Sequence, residues 1–148
     1  MASPKRIVLF GVVLVLLVAV GGVAGRAIRR NLHYGAIADE HNTTVRVDVG
    51  DRFSLKVPDR GASVGDSWTA STDPAGMVEL VGTELVASKL MDRIFEPALG
   101  GGGGSRYFRY DAKRAGRVTI TLSNCFQDCR NERTDAESRT VAWTVIVS

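Results

Sequence analysis

The 148-residue sequence is poor in the residues that most often carry chemistry. It has two histidines, two cysteines and four prolines. Both histidines, His33 and His41, lie ahead of the stretch that carries the regular hydrophobic pattern. A His-based triad or a His general base therefore has no donor within that stretch. A zinc site on Cys125 and Cys129 would lack two further ligands, so neither a metal nor a cofactor is expected. The carboxylates are scattered and read as a solvated surface, so the chain is not expected to be an enzyme. No internal repeat and no convincing long soluble helix is visible.

Acidic residues are absent from positions 1–30, which hold Lys5, Arg6, Arg26, Arg29 and Arg30. The formal charge of +3 and the pI of about 9.1 come from these five. The remaining fourteen basic residues face all sixteen acids, a net of −2 over residues 31–148. A basic nucleic-acid-binding domain is thereby excluded.

What the first thirty residues do have is a run of 19 uncharged, largely apolar residues, 7–25. As a helix it would span roughly 28 Å, close to the bilayer core. A cleaved signal peptide and an uncleaved signal anchor compete for this segment. The stretch is long for a signal peptide, and three arginines crowd its exit, so the anchor is favoured. Positive charge is balanced across its two ends, which leaves orientation open. The close cysteine pair suits an oxidising compartment and places the following domain outside the cytoplasm. That domain is secreted if the segment is cleaved. Two reduced thiols are the alternative reading of the pair.

Residues 31–44 read as a polar connector. From residue 45 to 148 the pattern is β. Val45, Val47 and Val49 alternate with polar residues, as do Phe53, Leu55 and Val57 up to Pro58, which puts each set on one face. A strand begins at Trp68 and stops at Asp73-Pro74. Residues 77–81 and 84–86 read as a hairpin about Gly82-Thr83, and residues 87–95 have some helical character. Further strands carry Phe108, Tyr110 and Ala112, then Val118, Ile120 and Leu122, then Val141, Trp143, Val145 and Val147. About seven one-sided strands predict an all-β, antiparallel β-sandwich, since each sheet needs another to cover it. The expected core is Val47, Phe53, Leu55, Trp68, Leu80, Phe108, Val118, Ile120, Leu122, Trp143 and Val145. Arg106 and Arg109 are expected to face outward.

Three loops stand out, and loops on a rigid scaffold commonly carry function. The first, residues 59–67, contains Gly61, Ala62, Ser63, Val64 and Gly65. The second contains Gly100, Gly101, Gly102, Gly103 and Gly104. This run precedes a strand and no lysine follows it, so it is not a phosphate cradle. It is either a backbone that can approach another surface closely or a flexible connector. The third loop, residues 124–140, opens with Cys125-Phe126-Gln127-Asp128-Cys129. Its spacing is not the redox C-x-x-C, and a local disulfide fits it better. Such a bridge would either present Phe126 on a stiffened turn or serve only as a staple.

These residues resemble the chagasin-like inhibitors of papain-family cysteine peptidases over about residues 45–147. VRVDVGDRFSLKVP (45–58) is similar to the family's opening strands. Trp68 sits at the aromatic position after the first loop, and GSRYFRYDAKRAG (104–116) resembles the stretch after the glycine loop. The resemblance implies an immunoglobulin-like β-sandwich whose three loops at one end occlude a protease cleft without chemistry. It also implies a cysteine peptidase partner, and the chain is expected to be a monomer. The family's first loop is Asn-Pro-Thr-Thr-Gly, of which only Gly65 is matched. Its Arg-Pro-aromatic motif is replaced by the region of Cys125, Phe126 and Cys129. The alternative expectation is a membrane-tethered extracytoplasmic module that kept the sandwich and lost inhibition.

Overall fold

The computed structural model describes residues 30–87 and 103–148. The chain divides between His33 and Tyr34 into two units. Of the first unit only residues 30–33 are described, and they are helical. Among the described residues no helix is long and apolar enough to cross a membrane. The apolar run 7–25 lies outside them.

The second unit is a sandwich of two four-stranded sheets. One has the order β1 (Ala36–Ala38), β3 (Arg52–Asp59), β6 (Gly104–Ala112), β5 (Val78–Ala87). The other has the order β2 (Thr44–Val47), β8 (Arg139–Val147), β7 (Gly116–Phe126), β4 (Asp66–Asp73). Both sheets are mixed, because β1 runs parallel to β3 and β2 runs parallel to β8. The expectation of a purely antiparallel sandwich is corrected on this point. The parallel partners come from the N-terminal lead-in, where β1 lies within the stretch read as a connector.

Period-two alternation fills the space between the sheets as expected. Phe53, Leu55, Val57, Phe108, Tyr110 and Ala112 from one sheet meet Val45, Val47, Val118, Ile120, Leu122, Trp143, Val145 and Val147 from the other. Trp143 is fully buried, and its indole N–H donates to the Asp39 carbonyl at 3.0 Å. This bond ties the β1–β2 crossover to the core.

Several expected details differ. Leu80 is 44% exposed, because β5 is an edge strand and its inward face is not fully covered. Residues 78–87 form one strand with a bulge between Leu80 and Gly82 rather than a hairpin. Val49 is exposed in the tight turn before β3, where Gly50 holds φ +92. Strand β3 continues past Pro58 to Asp59. Trp68 is only partly buried, packed against the rim of the core. The residues of possible helical character beyond Ala87 lie outside those described.

Candidate functional site: the loop end of the sandwich

The strand ends explain which loops come together. Asp59 pairs with Gly104, Ala87 with Gly104, Asp66 with Phe126, and Asn124 with Arg139. The connections β3–β4, β5–β6 and β7–β8 therefore leave the sandwich at the same end.

The inward stripe of four strands turns polar at this end. Continuing the alternation, Val57 is followed by Asp59 and Leu122 by Asn124. Running the other way, Trp68 is preceded by Asp66 and Phe108 by Arg106. Asp59, Asp66 and Asn124 are buried. Arg106 therefore shares the inward face with Phe108, and the expectation that it faces outward is corrected.

Burial of these polar groups is tolerable only because each is partnered. Asp59 receives the Arg106 Nε–H on Oδ2 and the Gly61 backbone N–H on Oδ1 at 2.7 Å. Asp66 accepts from the Arg60 backbone N–H at 2.8 Å and from Asn124 Nδ2 at 2.8 Å. It also accepts from the Arg60 guanidinium at 3.3 Å. Burial pushes the Asp66 carboxyl upward, but these hydrogen bonds outweigh it and hold the group below the usual carboxylate range.

The first loop thus leaves β3 over a buried ionic floor. Gly61, at φ +97, opens a 3-10 turn over Ala62, Ser63 and Val64. Gly65 closes it at φ +80, a left-handed conformation that favours glycine. A Cβ on Gly65 would lie 3.2 Å from the Gln127 side chain, and the Gln127 N–H donates to the Gly65 carbonyl at 2.8 Å. Val64 is left 42% exposed at the apex.

The third loop begins where β7 ends at Phe126. Cys125 and Cys129 form a disulfide, with Cα atoms 5.4 Å apart. Within this ring, Gln127, Asp128 and Cys129 all hold positive φ, at 47°, 59° and 50°. Each such non-glycine residue costs of order 1–2 kcal/mol. The short helix α1 (Glu132–Ala136) returns the chain to β8. Asn131 caps it, accepting from the Thr134 N–H at 3.0 Å, and Ser138 Oγ accepts from the Phe126 N–H at 3.0 Å.

Phe126 does not project freely. It is half-buried, and the Arg60 guanidinium lies 3.9 Å from its ring centroid. The same guanidinium donates to Glu137 Oε2 at 2.9 Å and to the Glu137 carbonyl at 3.2 Å. The first and third loops are thereby braced against each other.

Of the glycine run, Gly100, Gly101 and Gly102 lie outside the described residues. Gly103 lies against the first loop, where a Cβ would come 3.2 Å from the Asp59 carbonyl. Gly104 begins β6, and a Cβ there would meet the Val86 carbonyl at 2.2 Å. Only glycine allows that approach. Among the described residues no His, Cys, Asp and Glu group is arranged to hold a metal ion.

The loop residues picked from the sequence, Gly61 to Gly65, Gly103, Gly104, Phe126 and the two cysteines, thus gather at one end. Asp59, Arg60, Asp66, Arg106, Asn124 and Glu137 were missed. For Asp59, Asp66, Arg106 and Asn124 the signal was available, since each falls on an inward position of a strand.

Residues 46–145 match the profile of the chagasin family of peptidase inhibitors, I42. No curated protein matches the chain significantly. Among solved structures, amebosin is similar with a TM-score of 0.55 at 20% identity, covering 76% of this chain and 97% of that one. The cysteine protease inhibitor EhICP2 from Entamoeba histolytica gives a TM-score of 0.56 at 15% identity, covering 76% of this chain and 94% of that one. At these identities the two structures speak for the fold, and the family profile speaks for the kind of activity, which is inhibition of peptidases and not catalysis. The chain belongs to the chagasin family of peptidase inhibitors.

Proposed function

We propose that this protein inhibits papain-family cysteine peptidases by filling the active-site cleft with the loop end of its sandwich. The observation that carries the proposal is the family match over residues 46–145, in a chain whose β3–β4, β5–β6 and β7–β8 connections emerge together. The Entamoeba histolytica protein of similar fold is named as a cysteine protease inhibitor, which favours that peptidase class.

In this reading Gly61 to Gly65, Gly100 to Gly104 and the Cys125–Cys129 segment face the peptidase, with the half-buried Phe126 ring contributing its exposed edge beside Arg60. Occlusion needs no bond-making. A glycine backbone can lie close across the cleft, and the braced flanking loops lower the ordering cost of binding. Residues 7–25 hold the domain at the outer face of a membrane, a point checked by the mass and protease accessibility of the exported chain.

The test is a titration of papain and related peptidases with the purified full-length chain. An inhibition constant on the order of 1 μM or below is expected. No inhibition of several such enzymes at about 50 μM would overturn the proposal. That result would favour a tethered module that retains the sandwich alone.

A further inference from the structure

The first loop crosses from β3 in one sheet to β4 in the other, the third joins β7 to β8, and a peptidase that touches both would need them held in one arrangement. One side chain makes that connection at several points. The Arg60 guanidinium stands 3.9 Å from the centroid of the Phe126 ring and reaches Glu137 at both its carboxylate (2.9 Å) and its carbonyl (3.2 Å). It also touches buried Asp66 at 3.3 Å, while the Arg60 backbone N–H donates to the same carboxylate at 2.8 Å. The root of the first loop, the end of β7 and the return to β8 thus converge on one residue.

We propose that Arg60 is a positioning residue for inhibition, locking the first loop and the Cys125–Cys129 loop into a single binding unit. This rests on the inhibitory reading above. The fork geometry of a guanidinium suits the task. It can stack flat on an aromatic ring while its N–H groups serve acceptors in its plane, and a lysine ammonium cannot do both. The exposed Arg60–Glu137 pair by itself would contribute little in water. The value of the arrangement is that the ring contact and the buried carboxylate fix the guanidinium beforehand.

A backbone tie between the two loops lies beside this lock. Gln127, Asp128 and Cys129 keep left-handed backbone angles, and the Gln127 N–H is tied to the Gly65 carbonyl. Exposed Val64 and Gln127 therefore sit at a fixed separation, each on a loop whose root Arg60 touches. Without the lock, a peptidase would have to order two loops on binding, and that cost appears mainly as faster release.

The experiment measures association and dissociation rates of the peptidase complex for the full-length wild type, Arg60→Ala, Arg60→Lys, Phe126→Ala and the Arg60→Ala/Phe126→Ala double variant. Glu137→Gln is included because it loosens the lock without disturbing buried Asp66. Arg60→Ala is expected to speed dissociation about tenfold, with association changed less than about threefold. Lysine should rescue only part of the loss, and Glu137→Gln should show a smaller effect in the same direction. The double variant should release no faster than the faster single variant. A merely structural role would lower the active fraction and leave the dissociation rate of the folded fraction unchanged. An inhibitory wild type with Arg60→Ala and Glu137→Gln both unchanged within about twofold, or with effects that multiply in the double variant, overturns the proposal. A wild type that inhibits none of the peptidases overturns the inhibitory reading itself, and is recognised because the parent and all variants are equally inert.

Discussion

The Asp59 carboxylate and the Arg106 guanidinium form an ion pair beneath the first loop, with Asp59 sealed from solvent and Arg106 only partly exposed. They sit diagonally across β3 and β6, since Asp59 pairs with Gly104 and Val57 with Arg106. The pair closes the core where the apolar stripe ends and the loops begin. Replacing Arg106 with methionine nearly keeps the volume and leaves a buried carboxylate with, among the described residues, the Gly61 N–H alone. A loss of about 3 kcal/mol is expected in urea unfolding of the full chain. A loss below about 1 kcal/mol would mean that water reaches Asp59.

Acid should destabilise the folded chain through two carboxyls at opposite ends of the sandwich. Burial raises the Asp66 carboxyl, but hydrogen bonds from the Arg60 backbone, Asn124 and the Arg60 guanidinium together hold it below its ordinary value. Asp111 is also held low, first by its hydrogen bond from Arg52 and despite some desolvation. A carboxyl that ionises more readily when folded contributes stability above its unfolded value. That contribution is lost as pH falls through the depressed folded value. Thermal unfolding followed from pH 7 downward should therefore show stability falling below about pH 4. Asp66→Asn should lower stability at neutral pH and flatten the acid slope. An unchanged slope in that variant would assign the effect elsewhere.

Much of the sandwich was legible because alternation is a local signal. Phe53, Leu55, Val57, Phe108, Tyr110, Ile120, Leu122 and Trp143 were read inward, and all are buried. The parallel strands β1 and β2 were not legible in their pairing, since their partners lie in β3 and β8 and three or four residues carry little periodicity. Leu80 misled because an edge strand keeps the alternation of a central one without its cover. At the loops, residue type located the segments, but Arg60 against Phe126 joins positions 66 residues apart, and no spacing rule reaches that far.

The Cys125–Cys129 bridge should stabilise the tip rather than the fold. It closes a ring of about five residues, for which chain entropy gives about 2 kcal/mol. The double Cys→Ser variant should lose no more than that in urea unfolding, because neither cysteine belongs to the buried core. Amide exchange should speed up at Gln127, whose N–H crosses to Gly65, more than at Ile120 or Val145. Uniform acceleration across β7 and β8 would show that the bridge supports the whole sheet. The native chain should label no thiol, since the described cysteines are paired.

Tyr110 offers a test of the core without touching the loops. Its ring is fully buried and stacks on Phe53 with centroids 5.5 Å apart, while its hydroxyl has no hydrogen-bond partner among the described residues. A hydroxyl buried in this way costs desolvation without a compensating bond. Tyr110→Phe keeps the stack and removes the cost, so it should be neutral or stabilise by about 1 kcal/mol. Burial also pushes the Tyr110 phenol well above its ordinary value. Burial and then Glu84 push Tyr34 up to about 12. A phenol that ionises later when folded contributes stability below about pH 10 that is lost as pH rises. Tyrosinate absorbance should therefore show Tyr34 and Tyr110 resisting ionisation near pH 10 until the chain unfolds. In Tyr110→Phe the step that accompanies unfolding should shrink by one tyrosine. Ionisation of all three tyrosines near pH 10 in the folded chain would mean that the sandwich admits water at Tyr110.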